Sequence, residues 1–485
     1  MSNSVNLKRR AAGLLLHPTS LPGVGESGVL GADAYRFVDL LAESGMSLWQ
    51  ALPLTPTHGD RSPYQSLSVH ACSEELICRH WLAARGWLSA EQLTGSILEC
   101  LALACAAFHQ KASAEERQAF ADFTAAHAYW LEDYALYRAI RADEGLKCWV
   151  DWPAPLRDRD AKALEKAAKR LEQEIRKYKF GQYVAFTQWL GVKRYANERG
   201  IAMFGDMPIF VSYDSADVWA QREYFRLDRD GRMEVVAGVP PDYFSATGQR
   251  WGNPHYNWEQ MQADGFEWWQ NRLRSQMQLF DVIRIDHFRG FEAYWEIPAS
   301  EPTAINGRWV KAPGEELFKC LKSEFGEIPL VAEDLGVITE EVNALRKGFE
   351  LPGMKILQFA FDGGPDNPYL PHNHETCCVV YTGTHDNDTT CGWFTALKEP
   401  QRLSVLEYLG LPDEPMPWPL NRAALASVAQ WSILPMQDVL GLDGSHRMNT
   451  PGTQQGNWLW RFSWDMVPET LAKRLRHLNH LYGRI

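Results

Sequence analysis

Residues 281–287 read Asp-Val-Ile-Arg-Ile-Asp-His, a short apolar run that Arg284 interrupts and that ends on Asp286. A run of this length with polar residues at its end is typical of a strand buried on both faces, as in a parallel sheet. Similar runs occur at residues 13–18, 48–54, 202–210, 281–286, 329–332, 354–361, 377–381 and 429–439. The last run contains Pro435, which is unfavourable inside a strand because proline lacks the amide hydrogen that a sheet ladder uses.

Helical stretches with one apolar face lie between many of these runs, for example at residues 34–42, 315–325 and 340–348. Eight buried strands separated by helices favour an α/β protein built as a (β/α)8 TIM barrel. We therefore predict a single barrel domain over residues 1–485, with helical and loop insertions between barrel strands. No C-terminal β-domain is expected, because the last run lies close to the end of the sequence.

The spacing of the runs is uneven and predicts two insertions. Residues 66–200 are mostly rich in Ala, Glu, Lys and Leu, so we expect a helical subdomain there. Residues 211–279 predict a loop-rich subdomain. Within it, residues 238–258 are rich in Gly, Pro, Asn and aromatic side chains, a composition typical of a long functional loop. We call residues 238–258 the cover loop.

Charge and composition exclude several classes of function. The formal net charge of −12 repels the phosphate backbone, so no nucleic-acid partner is expected. The apolar run 11–16 is too short for a signal peptide, and no run is long enough to span a membrane. The nine cysteines lack metal-ligand spacing and favour reduced thiols in the cytoplasm. We predict no metal and no cofactor, since no nucleotide or metal motif is evident.

Three acidic residues follow runs that are predicted to be barrel strands. Asp286 ends the fourth run, Glu333 directly follows the fifth, and Asp386 comes shortly after the seventh. The C-terminal ends of barrel strands converge on one mouth, where active sites are built. One acid in such a position can serve as a helix cap, but burying three is costly unless they are paired or take part in chemistry. The pattern therefore predicts an active site at this mouth.

A pair of carboxyl groups suits the cleavage of a glycosidic bond. One ionised carboxylate attacks the anomeric carbon, and a protonated partner donates to the leaving oxygen. Arg284 shares a strand face with Asp286, because side chains alternate along a strand, and its charge would keep Asp286 ionised. Glu333 is then the candidate acid. The sequence does not give the separation of the two carboxyl groups, so retention and inversion both remain open at this point.

Short motifs that run in order along nearly the whole chain carry a family resemblance. They are HPTSLPG (17–23), WQALPL (49–54), SPYQS (62–66), GDMPIFV (205–211), DSADVW (214–219), PPDYFS (240–245), GQRWGNP (248–254), RIDHFRG (284–290), AEDLG (332–336), THDN (384–387) and MNTPGT (448–453). This ordered set resembles glycoside hydrolase family 77, the 4-α-glucanotransferases also called amylomaltases. The resemblance implies a cofactor-free enzyme that acts on α-1,4-glucans and maltooligosaccharides with retention, through a covalent glucosyl-enzyme intermediate.

The resemblance also implies residue roles. Asp286 matches the nucleophile, Glu333 the general acid/base, and Asp386 a third acid that binds sugar hydroxyls and helps to distort the donor ring. The positions predicted to bind substrate are Tyr64, Asp206, Asp242, Gln249, Trp251, Arg284, His287, Asp362, His385 and Asn449. For three of them a purely structural role is the alternative: Tyr64 as a packed turn residue, Trp251 as an anchor of its loop, and His287 as a barrel histidine.

The predicted reaction is the transfer of α-1,4-glucan segments between maltooligosaccharides, with glucose as product or acceptor. A glucosyl enzyme can also be released by water, so a hydrolytic α-amylase-like enzyme is the nearest alternative. An inactive glucan-binding protein is a further alternative. Such a protein could lose the three acidic residues, but all three are present in this sequence. Transfer is favoured when a lid excludes water from the intermediate, and we assign this task to the cover loop.

Overall fold

The computed structural model describes residues 8–242, 245–453 and 455–485. The strands in these ranges are β1 (Ala11–Leu15), β2 (Leu48–Gln50), β3 (Ala202–Pro208), β4 (Val235–Val239), β5 (Gln249–Pro254), β6 (Val282–Asp286), β7 (Ala293–Pro298), β8 (Arg308–Lys311), β9 (Leu330–Ala332), β10 (Gly353–Ile356), β11 (Cys378–Tyr381) and β12 (Trp431–Pro435). The α-helices are α1 (Ala32–Glu43), α2 (Arg79–Ala84), α3 (Ile97–Lys111), α4 (Ala114–Ala126), α5 (Ala128–Asp143), α6 (Ala154–Arg157), α7 (Ala161–Arg170), α8 (Glu172–Asn197), α9 (Ala216–Ala220), α10 (Trp258–Ala263), α11 (Glu267–Leu279), α12 (Gly314–Phe325), α13 (Glu340–Gly348), α14 (Thr390–Ala396), α15 (Glu399–Tyr408), α16 (Trp418–Ala426), α17 (Met436–Leu440) and α18 (Leu471–Leu481).

Eight of the strands form a parallel sheet in the order β10-β11-β12-β1-β2-β3-β6-β9. The amide of Ala332, at the end of β9, donates to the carbonyl of Pro352, just before β10, at 2.8 Å. This contact joins the two edges of the sheet and closes it into a barrel. The predicted (β/α)8 barrel is therefore confirmed, and each of the eight predicted runs overlaps one of its strands.

Several of the predicted runs extend past the end of their strand, and two of them show why. In run 429–439, Pro435 is the last residue of β12, and α17 begins at Met436. Proline therefore ends the ladder and does not interrupt it, which removes the objection to a strand here. In run 354–361, β10 ends at Ile356 and a 3-10 turn follows. Both runs stay apolar because their strand and the turn after it are buried together.

Strand side chains alternate between two cores. Phe204, Val282, Val379 and Ile433 belong to a buried cluster inside the barrel. Ile283 belongs instead to the larger cluster between the barrel and its helices. Since Val282 faces the interior, residues 284 and 286 of the same strand face it too, nearer to the C-terminal mouth. The alternation thus brings charged residues to the mouth above an apolar floor.

Helices α2 to α8 lie within the range 66–200, and a second sheet lies beside the barrel. This sheet is antiparallel, in the order β5-β4-β7-β8, and sequence analysis did not predict it. The range 211–279 supplies only β4 and β5, because β7 and β8 come after the barrel strand β6. The antiparallel sheet was not predicted because its strands are short and because β4 pairs with β7, far away in sequence. Over the residues that the structure describes, no helix has the length and apolar character needed to cross a membrane.

Candidate active site

The centre of the barrel mouth is occupied by Arg284, which binds two acids at once. Its Nη1 donates to Asp206 Oδ2 and its Nη2 to Asp286 Oδ1, both at 2.6 Å. Arg284 and Asp206 are buried, whereas Asp286 is only partly covered. The hydroxyl of Tyr64 donates to the same Asp206 oxygen at 2.7 Å. Two charge-assisted bonds therefore fix the guanidinium and hold Asp286 in one orientation.

Glu333 is held beside Asp286 by backbone amides. Its Oε2 accepts from the amide of His287 at 2.7 Å, and its Oε1 accepts from the amide of Leu335 at 2.9 Å. His287 has a left-handed backbone conformation with φ of 56°, which a residue with a side chain rarely adopts. This turn directly after Asp286 presents the amide to the next strand end, so the geometry links the two predicted catalytic residues.

The third acid, Asp386, is positioned from two sides. Its Oδ1 accepts from Asn449 Nδ2 at 2.6 Å, and its Oδ2 lies 3.3 Å from His385 Nε2. The ring of His385 stacks on Tyr64, with ring centroids 5.2 Å apart and planes within 16°. Through Tyr64 this pair is connected to Asp206 and Arg284. We call this set the acid network, and its members are Tyr64, Asp206, Arg284, Asp286, His385, Asp386 and Asn449.

The electrostatics of the mouth give the acids different protonation. Burial and the nearby charge of Asp286 raise the pKa of Glu333 to about 7, although Arg284 opposes the shift. Burial raises the pKa of Asp206 as well, again against the effect of Arg284. Desolvation alone would raise the pKa of Asp386, but His385 and Asn449 bring it well below its usual value. Glu333 therefore retains a proton to higher pH than an ordinary carboxyl group, while Asp386 stays ionised.

The cover loop approaches the site through Trp251. Its ring packs edge-on against His287, with centroids 4.8 Å apart and planes at 90°. Its Nε1 donates to Gln249 Oε1 at 3.1 Å. Gln249 and Asp242 are exposed, and the Asp242 carboxylate accepts from the amide of Ser245 at 2.8 Å. Residues 243 and 244 of the predicted motif lie outside the described residues.

Asp362 lies on another loop, after the 3-10 turn that follows β10. Its carboxylate accepts from Asn367 Nδ2 at 3.1 Å, and its side chain is partly exposed. The structure thus brings seven predicted residues together in the acid network and places Glu333, His287 and Trp251 next to it. Among the described residues, Asp362 makes no hydrogen bond to that network. Within the described part of the chain, no group of His, Cys, Asp and Glu side chains is arranged to hold a metal ion.

Two residues that sequence analysis missed support the third acid. Arg447 donates through Nη2 to the backbone oxygen of Asp386 at 2.9 Å and through Nε to that of Asn449 at 3.1 Å. Trp458 has its ring 6.0 Å from Tyr64 and 5.9 Å from His385. Arg447 adjoins a motif in sequence, and this proximity was the one available signal. Trp458 follows the last motif by a few residues and carried no such signal.

Comparisons with known proteins show the family to which this chain belongs. The sequence model of glycoside hydrolase family 77, described as 4-alpha-glucanotransferase, matches residues 16–467. A 4-alpha-glucanotransferase of Thermus thermophilus is 51% identical, over 98% of this chain and 99% of the relative. One of Synechocystis is 46% identical, over 99% of each chain. The solved amylomaltase of Streptococcus agalactiae in complex with acarbose is 38% identical, with a TM-score of 0.94, and the match covers 98% of this chain and 100% of that one.

Proposed function

Because the chain belongs to glycoside hydrolase family 77 and is a 4-alpha-glucanotransferase, we propose that Asp286 is its nucleophile and Glu333 its general acid/base. The observation that carries this proposal is the contrast between the two groups. Asp286 accepts a bond from Arg284, while Glu333 lies beside it with a pKa raised to about 7 by burial and by Asp286. Arg284 holds one carboxyl group in place, and the other group keeps a proton near neutral pH, which is the division of labour that glycosyl transfer needs.

In the first step, a carboxylate oxygen of Asp286 attacks the anomeric carbon of the donor sugar. The bond from that carbon to the leaving oxygen breaks, and Glu333 donates its proton to that oxygen. The products are a glucosyl ester on Asp286, a shortened glucan with a free hydroxyl, and an ionised Glu333. Asp386, with its low pKa, is the hydroxyl-binding carboxylate, and Asn449 and His385 hold it in place.

In the second step, a hydroxyl of the acceptor sugar attacks the same carbon. Glu333 takes the hydroxyl proton, and the ester bond to Asp286 breaks, which restores both groups. Ester formation removes the charge of Asp286, and that charge is one cause of the raised pKa of Glu333. The pKa of Glu333 therefore falls when the intermediate forms, so the residue becomes a carboxylate just when a base is needed.

The acceptor is a maltooligosaccharide or glucose rather than water. Trp251 packs against His287, the residue that follows the nucleophile, so the cover loop lies where it can limit the access of water to the ester. Gln249 and Asp242 are the polar groups of this loop that would bind acceptor hydroxyls. The substrates are α-glucans, and a cytoplasmic location stays a prediction from the composition.

Incubation with maltotriose alone tests the reaction class. Transfer of a maltosyl unit gives glucose and maltopentaose, and transfer of a glucosyl unit gives maltose and maltotetraose. Chromatography resolves these longer chains. A hydrolytic enzyme gives only glucose and maltose. The appearance of longer chains supports the proposal, and their absence at every conversion would contradict it in favour of the hydrolytic alternative.

A further inference from the structure

A second concave site lies between the helical insertion and the barrel helix α11. It encloses about 400 Å³ of space that is continuous with solvent. The lining residues used here are Tyr129 and Trp130 of α5, Asp217 and Gln221 at α9, and Trp268 and Asn271 of α11. We call it the α5–α11 notch. None of its lining residues belongs to the acid network.

Aromatic rings form one side of the notch. The ring of Tyr129 is 39% exposed, so one face is open to a ligand. Behind it lies His70, whose ring meets Tyr129 edge-on at 5.7 Å and stacks on Trp130 at 5.9 Å. Trp268 is buried, and its Nε1 has no hydrogen-bond partner among the described residues. A buried donor without a partner is costly and calls for an acceptor at this position.

Polar side chains with free bonding capacity form the other side. One oxygen of Asp217 accepts from the amide of Val69 at 2.9 Å, which fixes the direction of the carboxylate. Asn271 accepts from Arg274 at 2.6 Å through its oxygen, so its NH2 group remains available. The side chain of Gln221 makes no hydrogen bond within residues 8–242, 245–453 and 455–485. The notch thus offers fixed acceptors and free donors beside an open aromatic face.

We propose that the α5–α11 notch binds one glucosyl unit of the α-glucan substrate, apart from the active site. A sugar ring has an apolar face that packs on Tyr129 and a rim of hydroxyl groups that suits carboxylate and amide side chains. Long glucans can occupy the notch and the active site at once, which raises their effective concentration, while maltotriose gains nothing. The proposal rests on the glucan substrate of the proposed function.

The test measures glycogen binding by the full chain in native affinity gels. Asp286→Asn is carried throughout, so that the polysaccharide is not consumed. Tyr129→Ala is expected to weaken retardation roughly 5-fold, and Tyr129→Phe to retain it, because the stacking ring is the main contact. Tyr408→Ala is the matched control, since Tyr408 is 38% exposed on α15, outside the notch. Gln221→Ala gives an independent second variant with an expected loss of about 2-fold.

Two results would overturn the proposal. One is that glycogen retards the Tyr129→Ala and Gln221→Ala variants as strongly as it retards the Tyr408→Ala variant. The other is an equal loss of kcat/KM on maltotriose when Tyr129→Ala is placed in the active chain, because that points to a structural defect. Weaker glycogen binding with an unchanged maltotriose rate supports it. A chain that binds glycogen but makes no longer products from maltotriose would contradict the proposed function and leave the notch standing.

Discussion

The acid network and the cover loop, which come together at His287, are held in place by different kinds of contact. In the network, Arg284 and Asp206 are buried and joined by a charge-assisted bond of 2.6 Å, and Tyr64 donates to Asp206 at 2.7 Å. On the cover loop, Gln249 and Asp242 are exposed, and Trp251 makes the ring contact with His287. Groups that stabilise developing charge act best when they are fixed before the reaction, because no reorganisation is then needed.

The cover loop has a different task, because it must admit and release sugars of different length. Between β4 and β5, residues 240–242 and 245–248 of the cover loop are partly or fully exposed, and such segments open at a low free-energy cost. We therefore propose that the acid network, together with Glu333, cleaves the bond and that the cover loop decides whether an acceptor sugar or water takes the glucosyl group. Substitutions in the first region should change the rate, and substitutions in the second should change the product distribution.

The largest effect is expected for Asp286→Asn. The change removes the nucleophile and one of the two ionic partners of Arg284. We expect kcat on maltotriose to fall by about 10⁴-fold or more, as for the loss of other covalent nucleophiles. Glucose release from maltotriose measures it, and circular dichroism verifies the fold.

The matched control for this substitution is Asp413→Asn. Asp413 is an exposed acid remote from the network in sequence, and its loss is expected to leave kcat within about 2-fold. A variant Asp286→Asn that kept more than about 1% of the activity would break the assignment of the nucleophile, and with it the division between the two regions.

An intermediate effect is expected from pH. The first step needs protonated Glu333, whose pKa is raised to about 7 by burial and by Asp286. As pH rises through this value the acid form is lost, so kcat/KM is expected to fall about tenfold per pH unit above it. The profile is obtained by measuring kcat/KM on maltotriose from about pH 5 to about pH 9, in steps of about half a pH unit.

Trp251→Ala serves as the control for the pH profile, because a change on the cover loop should leave the alkaline limb where it is. If kcat/KM did not fall at high pH, or if it began to fall below about pH 5, the result would contradict Glu333 as the acid. A limb that moves with Trp251→Ala would show that the cover loop takes part in the electrostatics of the network, which the comparison excludes.

Much of the barrel could be predicted from the sequence because its strands are buried on both faces. Such strands are continuous apolar runs, and the period of two placed Arg284 and Asp286 on one face, as the structure has them. The second sheet escaped prediction because β4 and β5 are short and β4 pairs with β7, which lies beyond β6 in the sequence. No local pattern records a pairing across that distance.

The candidate site was predictable in its residue types but not in its geometry. The family resemblance supplied Asp206 and Tyr64, but their shared bond depends on how the loop after β2 folds over the end of β3. The left-handed turn at His287 and its bond to Glu333 follow from tertiary packing, because nothing in a histidine favours that conformation. The raised pKa of Glu333 likewise comes from burial, which a sequence does not state.

The smallest effect is expected for Trp251→Ala, and it concerns products rather than rate. Trp251 anchors the cover loop by packing edge-on against His287, next to the nucleophile. Without the ring, water reaches the glucosyl ester more easily, while Arg284 and Glu333 keep their bonds. The ratio of transfer to hydrolysis on maltotriose is therefore expected to fall about 2- to 5-fold, with total cleavage nearly unchanged.

Trp309→Ala is the matched control for this substitution. Trp309 lies on β8 of the same antiparallel sheet and is 39% exposed, but its ring packs on Trp295 and Arg289. Its loss should not alter the product ratio. If Trp251→Ala lowered total cleavage and left the ratio unchanged, Trp251 would belong to the cleavage machinery. The boundary between the two regions would then run through the cover loop and not through His287.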